Sequence, residues 1–476
     1  MTGPSPLPEA ARPAPSLSAQ IRQVLRHRPG AGRSVLDDGA RVIQFDTLVD
    51  RSWIDAPRAA FTGRHVLIVT DRPLSAALAL CSLDGVAARL VICPPDLDRS
   101  RLPEVIGAAA IDAIVHDGGQ VCAFPEAMPV YAIDAGTMGA GPAYDGAGLE
   151  TQWALFTSGT TGAPKIAVHD LAGLTDAIKV DFNLTDPVVW ATFYDTRRFG
   201  GLQMLLRALT GGHSMMMTSP SEPMDDFIAR LAPSDLTHLA GTPSHWRSAL
   251  RRKAQEVLRP RYVRLSGEIA DQGLLDSLAR AFPGAAVGHA YASTEAGVGF
   301  EVNDGLAGFP LDYLTRRAPV ELQVRDGSLR LRSSRVAHLY LGGDAQVVAD
   351  ADGFVDSGDL IEQRGDRLYF TGRANGVINV GGLKVHPEEV EAVINLCPAV
   401  QVSLVKSRRS PITGALVAAD VVLADPDIDA EQIKAVRQSI LDTCRSALAA
   451  YKVPTSIRFV GDVPLTASGK LERRHA

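Results

Sequence analysis

The chain has 476 residues, 46% of them apolar and 21% charged, and a formal net charge of −6. This is ordinary globular composition with material for roughly two to four domains, and the negative balance supplies no field for non-specific nucleic-acid binding. The five cysteines are scattered with no CxxC pair, which argues against a zinc site and for a reducing compartment. No apolar run reaches the about 20 residues of a membrane span, so the expected location is cytoplasmic.

Residues 1–20 are rich in Pro, Ala and Ser, lack the basic and apolar regions of a signal peptide, and are expected to be a disordered leader. From residue 64 strand and helix alternate: His65–Thr70, helix Leu74–Leu83, Arg89–Cys93, then Ala113–Val115 and Trp153–Phe156. The rhythm resumes with strands at Val188–Phe193, Ser214–Thr218, Thr237–Ala240 and Tyr262–Leu265, separated by helices such as Pro243–Ala254 and Asp271–Ala281. Such alternation implies a buried parallel sheet. After residue 319 short strands joined by turns such as Asp326-Gly327 predict antiparallel ribbon. A smaller α+β unit follows Gly372: a ribbon Val377–Val385, a helix opened by Pro387, strands Val400–Val405 and Leu416–Val422, a long helix over Asp429–Leu448 and a strand Ser456–Val460.

Between the strand Trp153–Phe156 and the next apolar run lies Thr157-Ser158-Gly159-Thr160-Thr161-Gly162-Ala163-Pro164-Lys165. Glycines let backbone N–H groups approach a ligand, and with hydroxyls and a lysine they make a phosphate cradle. A solvated turn is the competing reading, and the lysine spacing is not that of a P-loop. Five stretches follow in order: Ser266-Gly267-Glu268; Tyr291-Ala292-Ser293-Thr294-Glu295; Asp356-Ser357-Gly358-Asp359; Thr371-Gly372-Arg373-Ala374-Asn375 running on to Gly381-Gly382; and Pro464-Leu465-Thr466 leading to Gly469-Lys470. Each is weak alone, since turns and surface charges account for all of them.

In this order and at these separations the set resembles the ANL adenylate-forming superfamily, from about residue 150 to the end. The resemblance implies an α/β fold: a large N-terminal domain of stacked α/β subdomains with a ribbon or barrel-like part (21–372), and a small mobile α+β C-terminal domain (373–476). It implies that a carboxylate attacks the α-phosphate of Mg·ATP, releasing pyrophosphate, and that a thiol then displaces AMP. CoA is the favoured thiol; a separate carrier protein is the alternative, and a degenerate adenylate binder a remote one.

By resemblance Thr157, Ser158, Gly159, Thr160, Thr161, Gly162 and Lys165 wrap the outer phosphates. Ser266, Gly267 and Glu268 flank the adenine and Tyr291 stacks on it. Thr294 touches the α-phosphate, Glu295 binds Mg2+, and Asp359 and Arg373 hold the ribose. Lys470 is implied as the adenylation lysine, Asn375 as the hinge, and Gly381 and Gly382 as lining the thiol tunnel.

The acyl pocket is placed by the same analogy near Phe193, Asp195, Arg198, Gly241, Trp246, Ala292 and Gly297. Asp195 either binds a substrate amine or pairs with Arg197 or Arg198, the second being favoured. Trp246, Phe193 and Tyr194 suggest an aromatic or medium apolar acid, or plain core. The run Arg247, Arg251, Arg252, Lys253, Arg259, Arg261 and Arg264 reads as a solvated face, with docking of an acidic group as the rival.

Overall fold

A computed structural model describes residues 15–28, 30–118, 124–133, 148–157, 165–184, 186–342, 347–410, 414–425, 427–466 and 469–473. Two large mixed sheets carry most of the chain. One runs, in spatial order, Leu339–Leu341, Ile166–His169, Gln152–Phe156, Arg89–Ile92, His65–Val69, Ala113–His116 and Val130–Ala132. Its middle strands are parallel and nearly wholly buried, as βαβ crossovers require.

The other sheet orders Gly297–Val302, Ala286–Ser293, Tyr262–Ser266, His238–Gly241, Val189–Thr192, Ser214–Met216, Val35–Asp37 and Val42–Gln44. Two early strands pair here, Leu36 opposite Met215, so Val35–Asp37 and Val42–Gln44 extend this sheet at its edge. The helix Phe199–Gly211 and the wholly buried helix Pro73–Leu83 both contribute to the largest apolar core.

A five-stranded antiparallel sheet over residues 309–373 follows, with the Asp326-Gly327 turn in left-handed backbone between paired strands Val320–Arg325 and Ser328–Ser333. Beyond it come the hairpin Ile378–Val380/Leu383–Val385, the helix Pro387–Ile394, and a three-stranded sheet of Val400–Ser410, Gly414–Leu423 and Ser456–Phe459. The helix Ala430–Ala447 packs on it through Ile440 and Cys444, and is opened by a capping box between Asp429 and Gln432.

Three expectations are corrected. Residues 17–20 of the expected leader form the first turn of the helix Leu17–His27, whose Leu17 N–H is held by the buried Asp84 carboxylate at 2.7 Å. The helix from Pro243 stops at Arg251, because Lys253 takes left-handed backbone. The strand from Val400 continues to Ser410, a polar stretch whose partner lies across the hairpin and not in any local apolar period.

Candidate active site

Four parallel strands of the second sheet, Val189–Thr192, His238–Gly241, Tyr262–Ser266 and Ala286–Ser293, end at one edge. The carboxyl edge of such a sheet is where loops can converge on a ligand. Here it brings Phe193, Thr242, Gly267 and Thr294 together from four separate parts of the chain.

The first sheet supplies the Thr157–Lys165 segment. The strands Gln152–Phe156 and Ile166–His169 are antiparallel, and the Thr157 N–H donates to the Lys165 carbonyl at 2.9 Å. The segment therefore joins two antiparallel strands, whereas a P-loop leads from a strand into a helix. Ser158, Gly159, Thr160, Thr161 and Gly162 lie outside the described residues. The Lys165 ammonium sits 5.8 Å from the centre of the Tyr340 ring. Burial, then the charge of Glu295 and a hydrogen bond to it, pushes the Tyr340 phenol up to about 12. Lys165 and Glu295 thus share one neighbour, which no motif in the sequence marks.

Thr294 and Glu295 occupy the turn between Ala286–Ser293 and Gly297–Val302. His169 fixes that turn: its Nε2–H donates to the Thr294 carbonyl at 2.7 Å. Burial pushes this imidazole down to about 4, so it is neutral at pH 7. No group of three His, Cys, Asp or Glu side chains that could hold a metal occurs among the described residues. The lone Glu295 carboxylate suits Mg2+, which takes one or two protein carboxylates and fills its shell with water and phosphate oxygens.

The five-stranded sheet contributes a second cluster. Asp359 accepts from the Tyr291 hydroxyl at 2.6 Å and from Arg373 Nε at 2.9 Å. The Tyr291 ring is nearly parallel to Phe370 and Phe300, at 5.0 and 5.5 Å. The Asp359 carboxylate raises both the Tyr291 phenol, after burial, and the Arg373 guanidinium against its burial.

Lys470 reaches this edge from the C-terminal side. A Cβ on Gly267 would lie 3.2 Å from Lys470 Cε and 3.8 Å from its Nζ. Burial lowers the Lys470 ammonium, with Glu268 the first of the charges opposing it. Two bonds seat its segment directly, and two more anchor the carboxylate that makes one of them. Thr242 Oγ1 donates to the Gly469 carbonyl at 2.6 Å; the Leu471 N–H donates to Glu268 Oε1 at 2.8 Å; and Glu268 also accepts from Ser244 N and Oγ at 2.9 and 3.0 Å. Glu268 therefore spends its carboxylate on joining two segments. Gly469 has φ +72°, and a Cβ there would fall 1.9 Å from the His245 ring, so only glycine closes this contact. Ser266 in turn is held by Tyr194, whose hydroxyl lies 2.8 Å from its carbonyl and 2.9 Å from its Oγ.

The hinge and tunnel positions lie apart from this edge in sequence. Asn375 is exposed in a turn closed by Ala374 N–H to Gly358 and Gly376 N–H to Arg373 carbonyls. Gly381 and Gly382 have positive φ, and Asn379 Oδ1 caps their turn by accepting from the Gly382 N–H at 2.8 Å.

The residues expected near the acyl pocket are mostly engaged in packing and ion pairs. Trp246 is fully buried, donates its Nε1–H to the Arg264 carbonyl and packs edge-on to Phe193 and Phe282, so it belongs to the core. Gly241 is glycine because a Cβ would meet Phe193 at 2.8 Å, and Gly297 because one would meet the Arg335 carbonyl at 2.4 Å. Ala292 packs against the largest core. Asp195 is bound by Arg197 through Nε and Nη2 at 2.9 and 2.6 Å, and Arg198 pairs with Asp96. The pairing reading of Asp195 is the one the geometry favours.

The basic run is not one solvated face. Arg264 is buried against Glu301, and Arg247 is buried between Asp271 and Gln401. Arg251 reaches Gly461 and Asp462, Arg252 pairs with Asp225, and Arg261 with Asp186.

Comparisons with known proteins bear on the family and the fold. The family model for AMP-binding enzymes matches residues 62–329, and that for the AMP-binding enzyme C-terminal domain matches 389–470. The mitochondrial acyl-coenzyme A synthetase ACSM4 of Rattus norvegicus is 26% identical over 361 residues, covering 67% of this chain and 59% of the relative. The chain thus matches about three-fifths of the length of such curated relatives. Among solved structures, an anthranilate CoA ligase, AuaEII, with anthranoyl-AMP superposes with a TM-score of 0.78 at 18% identity, covering 96% of this chain and 95% of its own. A benzoate CoA ligase from Burkholderia xenovorans LB400 gives 0.78 at 19%, covering 96% and 98%. The fold is that of these ligases, and with its two matched regions the chain belongs to the AMP-binding enzymes.

Proposed function

We propose that this chain joins a carboxylic acid to a thiol in two steps driven by ATP. In the first, a carboxylate oxygen bonds to the α-phosphorus and the bond to pyrophosphate breaks, leaving an acyl-adenylate. In the second, a thiolate attacks the acyl carbon and AMP leaves with the electron pair of the broken C–O bond. CoA is the thiol this reading favours, because the relatives are named acyl-coenzyme A synthetases and CoA ligases.

The observation that carries the reading is Lys470, more than 300 residues from Thr157 yet seated beside Gly267 at the sheet edge. An ammonium held in a water-poor site meets negative charge developing on the carboxylate and α-phosphate at little reorganisation cost. In this scheme Asp359 and Arg373 hold the ribose and Ser266 to Glu268 border the base. The Thr157–Lys165 segment takes the outgoing phosphates. Glu295 would hold Mg2+, which supplies charge neutralisation to those phosphates when bound. Residues 21–372 and 373–476 act as two units about Asn375, with Gly381 and Gly382 lining the thiol's path in the second step.

The test is carboxylate-dependent exchange of pyrophosphate into ATP across a panel of aliphatic and aromatic acids. Exchange with one class is expected, and CoA or a phosphopantetheinylated carrier added to that acid identifies the acceptor. Absence of exchange with every acid removes the reading.

A further inference from the structure

The helix Pro243–Arg251 meets the C-terminal three-stranded sheet through a reciprocal pair. Arg247 Nη1 donates to the Gln401 carbonyl at 2.8 Å, and Gln401 Nε2 donates back to the Arg247 carbonyl at 2.7 Å. The same guanidinium is paired with Asp271, the N-cap of the helix Gln272–Ala281. Asn395, at the end of the helix Pro387–Ile394, points its amide at that carboxylate from 3.5 Å. A largely buried ion pair, its side chains 10% and 11% exposed, thus sits on the seam between the second large sheet and the C-terminal unit.

Its location has consequences for Lys470. Gln401 lies in Val400–Ser410, which pairs with Gly414–Leu423, which pairs with Ser456–Phe459, and the chain leaves that last strand towards Lys470. A planar guanidinium can serve a carboxylate and a carbonyl at once, which an ammonium on a flexible stem does less well. The neighbouring link, Arg251 to Asp462, is exposed, where screening leaves little. Of these two links to the sheet, the protected Arg247–Gln401 contact is the stronger, and it complements the Thr242 and Glu268 contacts that hold the Lys470 segment itself.

We propose that Arg247, through the Gln401 carbonyl, is a positioning residue that orients the C-terminal unit so that Lys470 is delivered to Gly267. This rests on the reading of Lys470 given above. Arg247 touches no reacting atom in it.

The test compares Arg247→Lys and Gln401→Ala with the unaltered full chain, and uses Arg252→Ala as the control, since Arg252 lies next to the same helix but pairs with Asp225. Arg247→Lys keeps a cation beside Asp271, which guards against simple unfolding. Brief amine acetylation followed by peptide mass spectrometry reads the exposure of Lys470 without reference to activity. Acetylation of Lys470 is expected to rise roughly tenfold in Arg247→Lys, the scale of losing one charge-assisted hydrogen bond, and less in Gln401→Ala. The exposed Lys253 serves as internal reference, and Arg252→Ala is expected to match the unaltered chain. Pyrophosphate exchange is expected to lose up to about 100-fold in kcat in Arg247→Lys, with KM for ATP little moved. Unchanged Lys470 acetylation in both seam variants overturns the proposal. So does a change that Arg252→Ala reproduces. Absence of exchange in the unaltered chain would instead remove the ligase reading, while the acetylation result still decides whether Arg247 seats Lys470.

Discussion

Lys470 and Trp246 show how far a single side chain can depart from what its neighbours in sequence suggest. Near a chain end a lysine is normally a solvated charge. Here burial lowers its ammonium, and Glu268, Asp359 and Glu295 oppose that loss. Replacing Lys470 by Ala is expected to cut pyrophosphate exchange by about 100- to 1000-fold, the scale of losing one preorganised charge. Thioester formation from a supplied acyl-adenylate is expected to survive. Equal loss in both assays would mean that Lys470 serves something other than the first step. Trp246 makes the opposite case. It is fully buried and hydrogen-bonded, so Trp246→Ala is expected to cost about 3–5 kcal/mol of stability. Urea unfolding measures this, and a near-neutral result would return Trp246 to the list of pocket residues.

At the scale of elements, the helix Pro243–Arg251 does two jobs. Thr242 caps it through the His245 N–H at 3.0 Å, while His245 Nδ1 accepts from the Thr242 N–H to complete the box. The same Thr242 hydroxyl holds the Gly469 carbonyl. Thr242→Ala should therefore lower stability by about 1 kcal/mol, as cap removal does, and slow exchange as well. Thr242→Ser keeps the hydroxyl and is expected to retain most of both. Asp429→Ala removes a comparable cap from Ala430–Ala447, away from the sheet edge, and should lower stability without touching exchange kinetics. If the two Ala variants behave alike in exchange, the Gly469 contact carries no weight.

For the whole molecule, buried titratable groups set the response to acid. His169, His238 and His245 are each pushed down to about 4 and His213 to about 3, burial being the main cause. The unfolded chain takes up protons on these rings below about 6.5, which the folded chain refuses until near 4, so their stability is complete above 6.5 and lost as pH falls. Asp84 and Glu391 oppose this: burial raises them to about 6 and about 7, so they favour the folded state at low pH and lose that contribution as pH rises. The four imidazoles outnumber the two carboxyls. The urea midpoint at fixed ionic strength should fall between pH 6.5 and 4.5, and a midpoint that rises on acidification would show that the carboxyls dominate.

Much of this was legible in the chain alone, where physics acts locally. Strands such as His65–Val69 and Gln152–Phe156 are short, mostly apolar runs of strand length, set in an alternation with helices that a buried sheet accommodates. The helix Ala430–Ala447 lies within one residue, at each end, of the expected Asp429–Leu448. The order of the glycine-rich, Tyr-x-x-Thr-Glu and Gly-Lys stretches pointed to the family that the comparisons bear out. What the sequence could not hold is which groups meet across long separations. That Glu268 bolts Leu471 to Ser244, that Tyr340 stands between Lys165 and Glu295, and that Arg247 is a buried seam residue all depend on side chains more than 20 residues apart, and most of them far more. Local periodicity carries no record of such contacts. They exist only once parallel strands align their carboxyl ends and the C-terminal sheet is laid against that edge, because desolvation and pairing are properties of the assembled surroundings.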